Sequence, residues 1–130
     1  MLDNARARTA VAGMVDPAAR GLLRLGMSPD MVTWAGTVCV VLGAVLLIAP
    51  GHLVIGGIVC GVLGLSDLLD GTMARLSGRV GVWGAFLDST LDRIADAAML
   101  GAIAWHLAHH GPGWGLLASL IALTAGQVTS

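Results

Sequence analysis

Charged residues are confined to the first thirty positions of the chain and to the segment 67–96, and apolar residues fill the rest in long runs. The run from Met31 to Ala49 carries no charge, and as a helix it is about long enough to cross a hydrocarbon core. Pro50-Gly51 predicts a tight turn. A second run begins at His52, stays apolar to Leu65, and is predicted to continue to about Leu76 as a helix that leaves the bilayer. Ser77-Gly78-Arg79 reads as the next connection. A third helix is expected from near Gly81; it carries Asp88, Asp92, Arg93 and Asp96 before turning apolar from Ala97 to Ala108. Gly111-Pro112-Gly113 ends it, and a fourth apolar run starts at Trp114. Ahead of all four, residues 1–15 read as a weakly structured basic segment. Asp16-Pro17 then offers an N-cap and a first-turn proline, and Gly26 a stop. Within 16–26, Ala18, Leu22 and Leu25 share one face and Arg20 and Arg24 the other. Such a helix belongs at an anionic membrane surface, with a solvated basic arm as the alternative.

Composition turns these runs into membrane spans. The chain is 56% hydrophobic and 12% charged, against about 25% charged in ordinary soluble domains. The expected fold is therefore an all-α membrane protein: an amphipathic N-terminal interfacial helix followed by four transmembrane helices. The hydrophilic segments are too short for a separate soluble domain, so residues 1–130 read as one unit. No secretory signal precedes the first span. The net charge of −1 sums segregated charges, and nothing points to a nucleic-acid partner. Cys39 and Cys60 read as small buried residues within spans. Arg6, Arg8, Arg20 and Arg24 precede the first span, and Arg75 and Arg79 lie between the second and third; the other two turns carry no Arg. The positive-inside rule puts the N-terminus and the 76–80 connection in the cytoplasm. Trp34 and Trp83 fall at the inner ends of spans, Trp105 and Trp114 at the outer ends, as interfacial aromatics do.

The segment from Asp67 to Asp92 carries the chemistry. Asp67 and Asp70 are three apart, Asp88 and Asp92 four apart, so each pair shares one helix face. The predicted topology brings both pairs to the same depth in the inner leaflet. Asp67 and Asp70 would lie toward a helix C-terminus, where the macrodipole disfavours negative charge. Four carboxylates near hydrocarbon are costly and repel one another, so a positive partner is required. Arg75 and Arg93 could neutralise two of them in a buried ion-pair cluster. Oxygen ligands without nearby His or Cys suit a hard cation, Mg²⁺ or Mn²⁺, and the charge suits two ions with a phosphorylated substrate. Gly71 and Gly84 leave space for a ligand to approach the backbone.

Asp67-x-x-Asp70-Gly71-x-x-Ala74-Arg75, then eight residues, then Gly84-x-x-x-Asp88-x-x-x-Asp92, resembles the complete signature of the CDP-alcohol phosphotransferase family. The resemblance implies a six-helix membrane enzyme of phospholipid biosynthesis, usually a homodimer, embedded in the lipid bilayer of the cell membrane with its active site on the cytoplasmic side. Such an enzyme transfers a phosphatidyl or similar group from a CDP-linked donor to an alcohol and releases CMP. It implies that Asp67, Asp70, Asp88 and Asp92 hold two divalent ions on the diphosphate, that Asp92 is the general base, and that Gly71 and Arg75 contact the donor. The stretch 17–36 and Asp92-Arg93-Ile94-Ala95-Asp96 are similar to the actinobacterial phosphatidylinositol-phosphate synthase branch. That narrower resemblance implies CDP-diacylglycerol as donor and an inositol phosphate as acceptor, with glycerol phosphate or another alcohol as the alternative. It adds Asp30, Met31, Val32, Thr33 and Gly81 to the donor contacts. It also implies that this sequence is an N-terminal portion, with the acceptor-binding basic residues beyond Ser130.

Two other classes compete. A cation or proton transporter also places aspartates within helices, but its acidic path should reach the outer half, where this chain has no carboxylate. A membrane-anchored interaction module needs no carboxylate cluster. His106, His109 and His110 could form a metal patch or an interfacial group, Gly57-x-x-x-Gly61 a packing site between or within subunits, and Asp96 an ion pair with Arg93 or an acceptor contact.

Overall fold

The structure, a computed structural model, describes residues 2–128, with side chains over 13–126 and at 128. All regular structure among them is helical: α1 (Leu2–Arg24), α2 (Pro29–Gly43) continued by a π-helical turn (Ala44–Ile48), α3 (Leu53–Gly64), α4 (Ser66–Leu76), α5 (Val82–His110) and α6 (Gly113–Val128). α2 is the spine, with α3, α4 and α5 all packed on it; α6 packs on α5 and α1 on α4. Pro29–Ile48 and Leu53–Leu76 are long and apolar enough to cross a membrane by length and composition, and only 17% of the second is buried. Val54, Ile55, Ile58 and Val62 on α3 are all exposed. In water that apolar stripe would be an unmet liability.

Three features depart from the sequence reading. First, α1 starts at Leu2, so residues 2–15 are helical rather than weakly structured, and Pro17 sits inside the helix instead of opening it. A proline inside a helix removes the hydrogen bond to the carbonyl four residues back, here that of Gly13. The side chains of Arg6 and Arg8 lie outside the described residues. Second, α1 docks on α4 through a face the sequence does not single out, leaving Ala18 and Leu25 of the predicted apolar face exposed. Ala19 is fully buried against Val32 and Met73, flanked by Leu22, Leu23 and Met27, while Leu25 is exposed. Third, the second apolar run is broken at Leu65. The Ser66 hydroxyl donates to the Leu63 carbonyl, the acceptor that an unbroken helix would offer to Asp67 N–H, and the chain passes through i→i−3 bonds at Leu65 and Leu68. Asp67 therefore lies in the first turn of α4. Cys39 is exposed and Cys60 buried, so one of the two cysteines departs from its expected burial.

The helix ends flanking the polar segment follow the sequence closely. Gly26 (φ +80°) and Gly78 (φ +67°) sit in the left-handed region that favours glycine. Met27 N–H bonds Leu22 O at 3.1 Å and Arg79 N–H bonds Ala74 O at 3.0 Å, the six-to-one closure of a Schellman motif. Ser28 caps α2 by accepting from Met31 N–H at 3.3 Å.

A second core, Val40, Ala44, Ile48, Cys60 and Ala102, joins α2, its π turn, α3 and α5. Here the close approach is made by Gly56, where a Cβ would stand 2.5 Å from Ile48 Cγ1 and 3.2 Å from Ile48 N; around Gly57 and Gly61 the space is open. Gly56→Ala should destabilise the protein by about 1–3 kcal/mol through overpacking. Gly21→Ala, in open space on α1, should be neutral or stabilising by up to ~1 kcal/mol. Thermal unfolding in one detergent checks the pair, and equal shifts would remove Gly56 from the packing account.

Candidate metal centre and active-site cavity

α4 and α5 both lean on α2, and their polar ends enclose a cavity of about 210 Å³. α2 supplies Pro29, Asp30 and Thr33, and α4 supplies Asp67, Asp70, Gly71, Ala74 and Arg75. The connection contributes Arg79, Val80 and Gly81, and α5 contributes Gly84, Ala85 and Asp88. Helical spacing accounts for the arrangement: Asp67, Asp70 and Ala74 face inward at three and four residues apart, as do Gly84 and Asp88.

Asp67, Asp70 and Asp88 each offer a carboxylate oxygen within 4.8 Å of the other two. Asp92, one turn beyond Asp88, lies beside Asp67. Carboxylates this close need a proton or a cation between them. Asp70 is the most enclosed, 5% exposed, and accepts a 2.5 Å hydrogen bond from the Thr33 hydroxyl, which also lies 3.1 Å from Pro29 O. That contact ties the carboxylate of α4 to α2. Arg75 does not neutralise the cluster. Its Nε–H donates to Gly71 O at 3.2 Å and its Nη2 to Thr72 Oγ1 at 3.3 Å, and Thr72 in turn donates to Leu68 O at 2.7 Å. The guanidinium is held by its own helix at the cavity wall, with its remaining donors available to a ligand.

The residues fit divalent ions. The donors are all oxygen, as hard cations require, and their spread suits small ions bridged by shared carboxylates. A Cβ added at Gly71, Gly81 or Gly84 would meet nothing within 4 Å, so the wall stays open for an anionic ligand beside the cage.

Of the residues singled out in the sequence, the structure gathers Asp30, Thr33, Asp67, Asp70, Gly71, Arg75, Gly81 and Asp88 around one cavity, with Asp92 beside Asp67. Met31 and Val32 do not line it: Met31 is exposed, and Val32 is buried in the core shared with Ala19 and Met73. Thr33's hold on Asp70 and the placement of Arg79 were not read from the sequence. A hydroxyl on the same face of α2 as Pro29 was the available signal for the first, and a lone cation between the two motif halves for the second. At the far end of α5, His109 Nδ1 lies 2.8 Å from Trp105 O and His106 stacks on His110 at 5.0 Å. Among the described residues, the metal-capable group of three or more side chains is the aspartate cage.

Residues 26–129 match the CDP-alcohol phosphatidyltransferase family. The chain belongs to that family. It is 45% identical over 128 residues to the phosphatidylinositol phosphate synthase of Streptomyces avermitilis, a match covering 98% of this chain and 52% of the relative. The fold is similar to crystal structures of the Mycobacterium tuberculosis phosphatidylinositol phosphate synthase. One, in complex with manganese and citrate, gives a TM-score of 0.83 at 44% identity over 86% of this chain and 54% of that one. Another, with CDP-DAG bound, gives 0.87 at 43% identity over 90% and 59%. The chain spans about half the length of the curated relatives it matches.

Proposed function

We propose that this chain carries the donor- and metal-binding half of a phosphatidylinositol-phosphate synthase, which transfers a phosphatidyl group from CDP-diacylglycerol to an inositol phosphate and releases CMP. The observation that carries the reading is the cage of Asp67, Asp70 and Asp88, with Asp92 adjoining, in a cavity walled by Arg75. The similarity to a synthase structure with CDP-DAG bound supports the substrate, and the one with manganese supports the ion class. Bound Mg²⁺ or Mn²⁺ would supply charge neutralisation of the diphosphate and of the departing CMP. Asp67, Asp70 and Asp88 hold the ions, and Thr33 keeps Asp70 aimed. Arg75 donates to a diphosphate oxygen through charge-assisted hydrogen bonds. Gly71 and Gly84 keep side chains out of the donor's path. Asp92 accepts the proton of the attacking hydroxyl as the new bond to phosphorus forms and CMP leaves.

In the same reading α2, α3–α4, α5 and α6 cross the cell membrane. α1 lies along the cytoplasmic surface, where Arg20 and Arg24 are exposed. The exposed Trp34, Trp83, Trp105 and Trp114 mark the two interfaces, and the open faces of Gly57 and Gly61 suit a helix of a second copy in a homodimer. A transporter is disfavoured because the carboxylates of α5 stop at Asp96 and none lies in the rest of that helix, 97–110.

The test is CMP release from CDP-diacylglycerol by the purified full-length protein, with inositol phosphate and glycerol phosphate compared as acceptors. Activity should appear with Mg²⁺ or Mn²⁺, vanish with chelator, and favour inositol phosphate. A preference for glycerol phosphate would move the chain to another branch, and metal-independent release would remove the cage from the mechanism.

A further inference from the structure

We propose that Arg79 is a donor-positioning residue, a reading that rests on the function proposed above: its guanidinium grips a phosphate of the nucleotide headgroup where the headgroup passes between two cavities. The first cavity is the aspartate-lined one of about 210 Å³. The second, about 280 Å³, lies between the end of α1, the start of α2 and the α4–α5 connection, where Leu23, Met27, Ser28 and Ser77 line it. Pro29 and Arg79 belong to the walls of both. Each cavity alone is smaller than the roughly 300–1,000 Å³ of small-molecule sites; joined, they fall within that range. A ligand that extends from one cavity into the other lies against the Pro29 and Arg79 that both share.

The residue is built for that position. Gly78, at φ +67°, turns the chain out of α4, and Arg79 N–H is anchored to Ala74 O at 3.0 Å, so the backbone carrying the guanidinium is fixed. The side chain is exposed and makes no polar contact among the described residues, whereas Arg75 is tied to Gly71 and Thr72. A free cation facing a site whose other end is a carboxylate cage calls for a ligand with separated anionic groups. A diphosphate meets this, one phosphate facing the ions of the cage and the next facing a planar fork of N–H donors. The second cavity, with its apolar side chains and two hydroxyls, then takes the nucleoside portion.

The experiment titrates CMP into the purified protein in Mn²⁺, comparing wild type with Arg79→Ala and Arg79→Lys. A charged hydrogen bond of ordinary strength predicts about a 10- to 100-fold loss of CMP affinity in Arg79→Ala. Lysine should restore part of it, since it returns the charge without the fork. Mn²⁺ affinity in the absence of nucleotide should stay unchanged in both variants, and in turnover the donor KM should rise while the acceptor KM holds. Equal CMP affinity in wild type and Arg79→Ala overturns the inference alone. A rise confined to the acceptor KM overturns it too, and moves Arg79 to the acceptor's phosphate. Absence of CMP binding by the wild type in Mn²⁺ overturns the proposed function, and this inference with it.

Discussion

Asp70→Asn is expected to lose tight Mn²⁺ binding and to reduce turnover by more than 100-fold, while the protein folds normally. Asn has nearly the same shape and can still meet the Thr33 hydroxyl that lies 2.5 Å from Asp70, so packing at this 5% exposed site is preserved. What is lost is one full negative charge and one ligand oxygen from a group whose oxygens lie within 4.8 Å of one another. Outer contacts to a metal ligand typically contribute 10- to 100-fold in affinity, which sets the expectation for Thr33→Val; removing the ligand itself should exceed it. Stability supplies a second and independent sign. In chelator, three like charges become two, so Asp70→Asn should melt no lower than wild type, and higher if repulsion dominates. In Mn²⁺ at a hundred times Kd, wild type should gain about 2.7 kcal/mol and the variant almost none. Manganese titration followed by spin resonance, together with melting curves with and without metal, measures both. A variant that binds Mn²⁺ like wild type, or that unfolds in chelator, would make Asp70 a structural residue and dissolve the cage.

The carboxylate spacing was legible because helical geometry alone puts residues three and four apart on one face, and nothing in the tertiary structure moved Asp67, Asp70 and Asp88 off it. Gly26 and Gly78 were legible as helix stops for a similarly local reason, the left-handed turn that closes a Schellman motif. Features set by a partner element were not. Ser66 breaks the second run through its own hydroxyl, in a place where a Cβ on Gly36 would stand 2.8 Å from Ser66 Oγ; the sequence of either helix alone does not show the meeting. Ala19 rather than Ala18 turns inward because α1 docks on Met73 of α4, and at a helix whose two faces both carry alanines the pattern cannot choose. The π turn at Ala44–Ile48 lies in an apolar run that would read equally well as plain α-helix. Thr33 was singled out for the donor, yet its hydroxyl serves Asp70, a contact across 37 residues of chain.

Asp92→Asn should separate binding from chemistry. Asp92 stands one turn past Asp88 on α5, outside the trio whose oxygens converge, but beside Asp67. An in-line displacement needs a group that takes the hydroxyl proton of the acceptor, and that group must be near the reacting phosphorus without being consumed in holding the ions. Asp67, Asp70 and Asp88 are committed to the cage, and Asp70 further to Thr33. Asp92 is the carboxylate left at its edge. It lies beside Asp67, at the edge of the cage where an acceptor hydroxyl would approach. Asn at this position keeps the side chain's shape and leaves three ligands to the ions, but an amide oxygen cannot take up a proton at neutral pH. Turnover should therefore fall by about 10²- to 10⁴-fold, the usual contribution of a positioned base, while calorimetric titration of CDP-diacylglycerol in Mg²⁺ stays within a few-fold of wild type. The contrast with Asp70→Asn, which should lose donor binding through the metal, is the measurement that decides. If donor affinity collapses in Asp92→Asn as well, Asp92 is a fourth ligand of the cage and the proton leaves by another route.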